Sequence, residues 1–172
     1  VHILNHRIMY GGFFMEMMTL YRLNDSICVR DDVTMITIDN LSGDNRVMAS
    51  VLCEIAKMDM DIDILDYHNS YKGSKLTILV ENSGILRITG AVGMFKDKMK
   101  GLICDVYCLN TAVTVATQKT PLDDAAAIMR AFSHGGIELY HLFSGSAGIT
   151  LVINEAYTDR ACSVLEKIFK KM

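Results

Sequence analysis

The sequence lacks tryptophan, and twelve methionines supply much of its apolar character, which indicates soft cores or interfaces. It has no apolar run of the ~18 to 20 residues that a membrane helix needs, and its apolar start lacks the small-residue cleavage signal of a secretory peptide. The formal charge of −3 is spread along the chain, whereas a nucleic-acid surface needs a basic face. We therefore expect no membrane or nucleic-acid partner, and a cytoplasmic protein.

Motifs of several enzyme classes are also missing. The sequence has no GxxxxGK followed by Ser or Thr, which would form a phosphate loop, and neither HExxH nor GxSxG. We therefore predict that the chain has no catalytic residue, no metal site and no cofactor.

The cysteines do not form a disulfide framework, because their number is odd and no CxxC pair occurs. This pattern is typical of the reducing cytoplasm. Two of them lie four residues apart in "LICDVYCLN", which reads as a strand and places them on one face. Buried structural thiols are favoured there over the beginning of a metal site. The five are Cys28, Cys53, Cys104, Cys108 and Cys162.

Internal similarity is the most informative feature of the chain. "VTMIT" at 33–37 returns as "VTVAT" at 113–117, and "KLTILVEN" at 75–82 returns as "GITLVINE" at 148–155. A repeat of this length is a small domain rather than a solenoid unit. The sequence therefore predicts two copies of one unit, at 31–110 and 111–172.

The first copy reads βαββαβ. "VTMITI" is a β-branched strand, and "IDILDYHNS" and "KLTILVE" are two more strands that the turn "YKG" joins into a hairpin. A last strand, "LICDVYCL", follows the second helix. Apolar residues at helical spacing predict the buried faces of the two helices: Val47, Val51, Leu52 and Ile55 in the first, and Ile88, Val92, Phe95 and Met99 in the second.

The second copy repeats this order but has no fourth strand before Met172. Its first helix begins at Thr120 as N-cap with Pro121 next, and ends at Gly135 and Gly136. The missing strand is supplied either by "SICVRD" at 26–31 or by an exchange of "LICDVYCL". Residues 1–30 form an N-terminal extension, in which 1–24 have no partner in the repeat. The predicted inward faces are Ile128, Met129 and Phe132, then Ala161, Leu165, Ile168 and Phe169.

The order βαββαβ, with helices on one face of an antiparallel sheet, is the ferredoxin-like arrangement of the α+β class. In the first copy a glycine loop, "DNLSGDNR", separates the first strand from its helix. Backbone amides at a helix start suit a carboxylate, and an acidic side chain suits an ammonium group. An amino acid carries both charges, whereas Asp39 and Asp44 would repel phosphate. A solvated loop with a helix cap is the alternative.

With "VTMITIDN", "DIDILDYHNS" and "GITLVINE" in this order, residues 31–172 resemble the paired ACT domains at the C-terminus of aspartokinases. The resemblance implies a non-catalytic module that binds an end-product amino acid, lysine or threonine, and forms homodimers through its ACT units. The kinase half of such enzymes has no counterpart here. The residues that the resemblance assigns to the ligand are Asn40, Leu41, Ser42, Gly43, Asp44, Asn45, Arg46, Asp63, Tyr67 and His68.

Two departures from the family bear on this site. Arg46 stands where the family often has glycine, and it pairs either with a ligand carboxylate or with Asp44. The corresponding loop of the second copy, "TQKTPLDD", is expected to be about five residues shorter, which leaves little room for a ligand. Two other functions stay open: a ligand-free dimerisation domain, and a thiol enzyme that uses Cys53 with His68.

Overall fold

The computed structural model divides the chain into two compact units. We call Val33–Cys108 the central unit, and Val1–Asp32 together with Leu109–Met172 the split unit. No helix within the described ranges is long and apolar enough to cross a membrane. The structure describes residues 2–3, 20–24, 26–41, 43–58, 60, 62–71, 73–98, 101–117, 120–145 and 148–169.

The central unit has the predicted order βαββαβ. Its first strand is the part of β3 from Val33 onward, and its last strand is the part of β6 up to Cys108. Asp44 caps the first helix, and a short 3-10 turn precedes the second. The elements are β3 (Ile27–Leu41), α1 (Asn45–Ala56), β4 (Ile62–Ser70), β5 (Gly73–Glu81), α2 (Ile85–Lys98) and β6 (Ile103–Val115).

Strand alternation builds the core of the central unit. β3 pairs with β5 antiparallel from Val33↔Glu81 to Ile38↔Leu76, so every second side chain faces the helices. Burial of each such chain stabilises the fold by about 1.5–3 kcal/mol. Ile88 of the predicted α2 face is buried; Met99 and the side chains of Val92 and Phe95 lie outside the described part. The core includes Ile36, Ile38, Ile78, Val80, Met48, Val51 and Ile55.

The split unit contains the second copy and a strand from before the first. Residues Ile27–Asp32 of β3 belong to it, and the backbone amide of Ala116 donates to the carbonyl of Ser26 at 2.8 Å. Residues 103–108 belong instead to the central unit. The N-terminal extension contributes two further described strands. The remaining elements are β1 (His2–Ile3), β2 (Leu20–Asn24), α3 (Pro121–Gly135), β7 (Leu139–Gly145), β8 (Gly148–Asn154) and α4 (Thr158–Phe169).

Local signals set the ends of α3. The Thr120 hydroxyl accepts from the amide of Asp123 at 3.2 Å, Pro121 occupies the first turn, and Gly136 closes the helix with φ 58°. The predicted start and stop are therefore confirmed. Met129, however, is 50% exposed, so its predicted inward orientation is wrong, because the buried stripe advances four residues at a time through Ile128 and Phe132.

Strand pairing corrects the register of the repeat. Ile36↔Ile78 in the central unit corresponds to Val113↔Leu151 in the split unit, which keeps the match between "KLTILVEN" and "GITLVINE". Thr34 then corresponds to Thr111. Each hydroxyl bonds to a residue near the start of the second helix of its unit: Thr34 to Asn82 in the 3-10 turn before α2, and Thr111 to Thr158, the first residue of α4. The match of "VTMIT" to "VTVAT" is therefore three residues out of register. A shift by an odd number of residues exchanges the two faces of a strand, so the matched side chains do not have the same orientation.

The loops before the first helices are nearly equal in length. Residues 39–43 separate Ile38 from the cap Asp44, and residues 116–119 separate Val115 from the cap Thr120. The expected shortening by about five residues is therefore wrong. The hairpins differ more, since β4 and β5 have 9 residues each and β7 and β8 have 7 each.

The thiols differ in exposure. Cys108 is exposed and Cys104 is half-buried, so the prediction of two buried thiols is wrong for Cys108. In the described ranges no group of three or more histidine, cysteine or acidic side chains could hold a metal ion. Cys162 is the buried thiol of the split unit, with 6% exposure.

We expect Cys162 to resist alkylation. Burial, and after it Asp159, Asp31 and Glu166, raises the pKa of its thiol from 9.0 to about 11, so its thiolate fraction at pH 8 falls about a hundredfold. The folded state holds this proton more tightly, so the stabilisation is full below pH 9 and is lost as the pH rises toward 11. Mass spectrometry after iodoacetamide treatment at pH 8 should find Cys53 modified at least about a hundredfold faster. Equal rates in the folded protein would contradict the prediction.

Candidate functional site

A bulge in β3 opens the candidate site. After Ile38↔Leu76 the next pair is Leu41↔Ser74, so β3 carries one extra residue. Asn40 in the bulge has φ 62°, and its Nδ2 donates to the carbonyl of Gly101 at 2.8 Å. This hydrogen bond holds the left-handed residue in place and directs the chain toward α1.

The start of α1 forms a closed ion pair. The Asp44 carboxylate accepts from the amide of Arg46 at 2.9 Å and from Nη2 of the same residue at 2.7 Å. The hydrogen bonds from the side chain of Arg46, and then that from its amide, lower the pKa of Asp44, and the carboxylate raises the pKa of Arg46. The Arg46 side chain is 91% exposed. In the structure Arg46 pairs with Asp44, which is one of the two partners predicted for it.

A chain of hydrogen bonds crosses the hairpin beside this loop. The Tyr67 hydroxyl donates to Oγ of Ser74 at 3.3 Å, and the Ser74 hydroxyl donates to Oδ1 of Asn69 at 2.9 Å. Ser74 is 1% exposed. A Cβ on Gly43 would lie 3.3 Å from Oδ1 of Asn69 and 3.9 Å from Oγ of Ser74. The loop therefore lies directly against this group, which we call the hairpin relay: Tyr67, Ser74 and Asn69.

The structure brings some of the predicted ligand residues together and separates others. Gly43 and Tyr67 both lie beside Ser74 of the hairpin relay. His68, by contrast, lies opposite Lys75 in the strand register, and its side chain is on the other face of the sheet. Asp63 is the extra residue of a bulge between Ile62 and Ile64, toward the other end of β4.

The remaining predicted residues belong to the loop and the start of α1. Leu41 is 2% exposed and packs in the core, and Asn45 is the exposed first residue of α1. Ser42 lies outside the described residues.

Two members of the hairpin relay, Asn69 and Ser74, were not predicted from the sequence. Asn69 lies two residues after Tyr67, so strand alternation alone places it on the same face. Ser74 required the register of the hairpin, which depends on where the turn between β4 and β5 falls. The sequence "YKG" marks the turn without fixing which residues pair.

The architecture defines the class of fold. Each unit has antiparallel strands with two helices packed on one face, and the order βαββαβ is the ferredoxin-like arrangement of ACT domains. Both units are formed by one chain.

Known structures show the same fold, although no protein-family model and no curated protein sequence matches the chain. The aspartokinase α and β subunits are 17% identical, with TM-score 0.73, covering 84% of this chain and 97% of that one. The ligand-free regulatory subunit of Thermus thermophilus aspartate kinase is 12% identical, with TM-score 0.71 and the same coverage. E. coli aspartokinase III in complex with lysine and aspartate is 10% identical, with TM-score 0.61, covering 82% of this chain and 32% of that one.

These similarities confirm the resemblance to aspartokinase regulatory regions at the level of the fold.

Proposed function

We propose that this chain is a non-catalytic regulatory module that binds an amino acid and acts in the cytoplasm on aspartate-family amino-acid biosynthesis. The observation that carries the proposal is the hairpin relay beside the loop 39–46, within an ACT-type unit. One neighbour of this fold, E. coli aspartokinase III, has been solved with lysine. Lysine or threonine is accordingly the ligand class that we propose.

The chemistry of the loop supports a zwitterion. Asn40 and Asn69 offer neutral amides, Tyr67 offers a hydroxyl, and Arg46 offers a guanidinium within one short stretch of surface. An amino acid needs acceptors for its ammonium group and donors for its carboxylate. We propose that Ser42 and Asn45 complete the ligand loop, and that Asp63 and His68 contact a ligand from β4.

The central unit is the better candidate of the two. Its hairpin extends past the last regular pair of the first strand to Leu41↔Ser74, and Ser74 there bonds to Tyr67 and Asn69. In the split unit the described pairing of β6 with β8 stops at Val115↔Ile149. Among the described residues of that unit no bulged pair follows Val115↔Ile149.

Isothermal titration calorimetry against the twenty amino acids, lysine and threonine first, tests the proposal. We expect binding to the wild type and at least tenfold weaker binding, about 1.4 kcal/mol, for Gly43→Val, because the added side chain would displace the Asn69 amide. Gly90→Val is the control, since a Cβ there meets nothing within 4 Å. Absence of heat at millimolar concentrations of all twenty would sink the proposal.

A homodimer is part of the proposal. Among the described strands β4 pairs with β5 alone, so its other edge is available for a second copy of the chain. The same observation favours the alternative of a ligand-free dimerisation domain. In that case Gly43→Val and the wild type would sediment as the same dimer, and neither would bind an amino acid.

A further inference from the structure

The hairpin relay has a direction. A serine hydroxyl carries one proton, and Ser74 uses it to donate to Oδ1 of Asn69. Oγ of Ser74 can then only accept from Tyr67, as it does at 3.3 Å. Ser74 is 1% exposed, so no bulk water is available to reverse the order. The polarity of the three groups is therefore set by the buried hydroxyl in the middle.

This direction gives the two ends of the hairpin relay opposite character. At one end Oδ1 of Asn69 is occupied, which leaves the two N–H bonds of its Nδ2 as donors. At the other end the Tyr67 proton is used, which leaves the lone pairs of the phenol oxygen as acceptors. In the part of the chain that the structure describes, neither Nδ2 of Asn69 nor the oxygen of Tyr67 has another partner. Asn69 is exposed and Tyr67 is half-buried, so both ends can be reached from solvent.

We infer that the hairpin relay fixes the orientation of the bound amino acid: its carboxylate accepts from the amide of Asn69, and its ammonium group donates to the oxygen of Tyr67. This inference rests on the proposed function. The reverse orientation would place the ammonium group against the donors of Asn69, and would leave the carboxylate beside an oxygen with no proton to give. Gly43 makes the position beside Asn69 accessible, because a Cβ there would lie 3.8 Å from Nδ2.

The variant Asn69→Asp isolates the donor end. The new carboxylate still accepts from Ser74, as Oδ1 does, but it has no N–H and it carries a negative charge. The test compares L-threonine, L-lysine and any other amino acid that binds in the calorimetric screen, each beside its methyl ester. The wild type should bind the free acid at least tenfold more tightly than the ester, which lacks the carboxylate charge. Asn69→Asp should remove or reverse this preference, mainly by weakening the binding of the free acid.

Two further variants complete the design. Tyr67→Phe removes the acceptor end, so the affinities for the free acid and for the ester should both fall by a few fold, and the ratio of the two affinities should stay unchanged. Asn154→Asp makes the same charge change in the split unit, where the side chain accepts from the amide of Ala156, and should leave binding unchanged. Thermal unfolding of each variant checks that the central unit remains folded.

The outcomes separate the two proposals. If the wild type binds no amino acid, the proposed function fails and the orientation fails with it. If the wild type binds and Asn69→Asp keeps the acid-to-ester ratio within twofold, the orientation alone is overturned. A preference of the wild type for the ester would overturn it as well.

Discussion

Gly148→Ala is expected to unfold the split unit. Gly148 has φ 132°, and a Cβ there would lie 2.0 Å from the carbonyl oxygen of Val115 and 3.0 Å from Cα of Ala116. Both obstacles are backbone, so no side-chain rotation relieves the clash, and β8 would have to move away from β6. We expect the free energy of unfolding to fall by at least about 4 kcal/mol, measured by denaturant titration.

Gly73→Ala is the matched control. Gly73 has nearly the same φ, 128°, but the nearest atom to its Cβ position is Oδ1 of Asn40 at 3.6 Å. The substitution there should cost only the backbone strain, about 1–3 kcal/mol. Equal losses for the two variants would show that strain alone, rather than the approach of β8 to β6, governs Gly148.

Val29→Asp should be nearly as damaging. Val29 is 0% exposed and packs in the core of the split unit with Val113, Leu151 and Phe132. An unpaired carboxylate at this position should lower the free energy of unfolding by about 3–5 kcal/mol. Amide hydrogen exchange gives the location of the loss: protection should fall in β6 and β8 together, because the strand from 27 to 32 belongs to their unit.

The control for Val29 is Leu122→Asp, on α3 of the same unit. Leu122 is 80% exposed, so a charge there should change stability by no more than about 0.5 kcal/mol. If Val29→Asp left the exchange of β8 unchanged, residues 27–32 would not be an integral strand of the split unit.

Much of the fold could be predicted because local chemistry determines it. Thr120 and Pro121 begin α3, and Gly136 ends it, through hydrogen bonds within a few residues of each other. The order of strands and helices followed from the alternation and the helical spacing of apolar residues. The register did not, because "VTMIT" and "VTVAT" share letters while their side chains face opposite sides of the sheet.

The candidate site was predictable only in its loop. A glycine loop before a helix is visible in the sequence, and Gly43 lies where that loop meets the hairpin. Ser74 reaches Tyr67 and Asn69 because the hairpin pairs Asn69 directly with Ser74, and Tyr67 with Leu76 two residues further along. Such contacts across a hairpin depend on which residues pair, and the turn sequence alone does not specify this register.

The division of the chain also has a consequence for the order of events during synthesis. The central unit is one continuous stretch, 33–108, so all of its strands have been synthesised once residue 108 is added. The strand at 27–32 is synthesised earlier and pairs with β2, yet its partners in the core of the split unit, such as Val113, Leu151 and Phe132, lie beyond residue 108. A nascent chain therefore carries the apolar side chains of Ile27 and Val29 without their core partners through the whole synthesis of the central unit. Topologically, the central unit is an insertion between residues 1–32 of the split unit and the remainder of that unit.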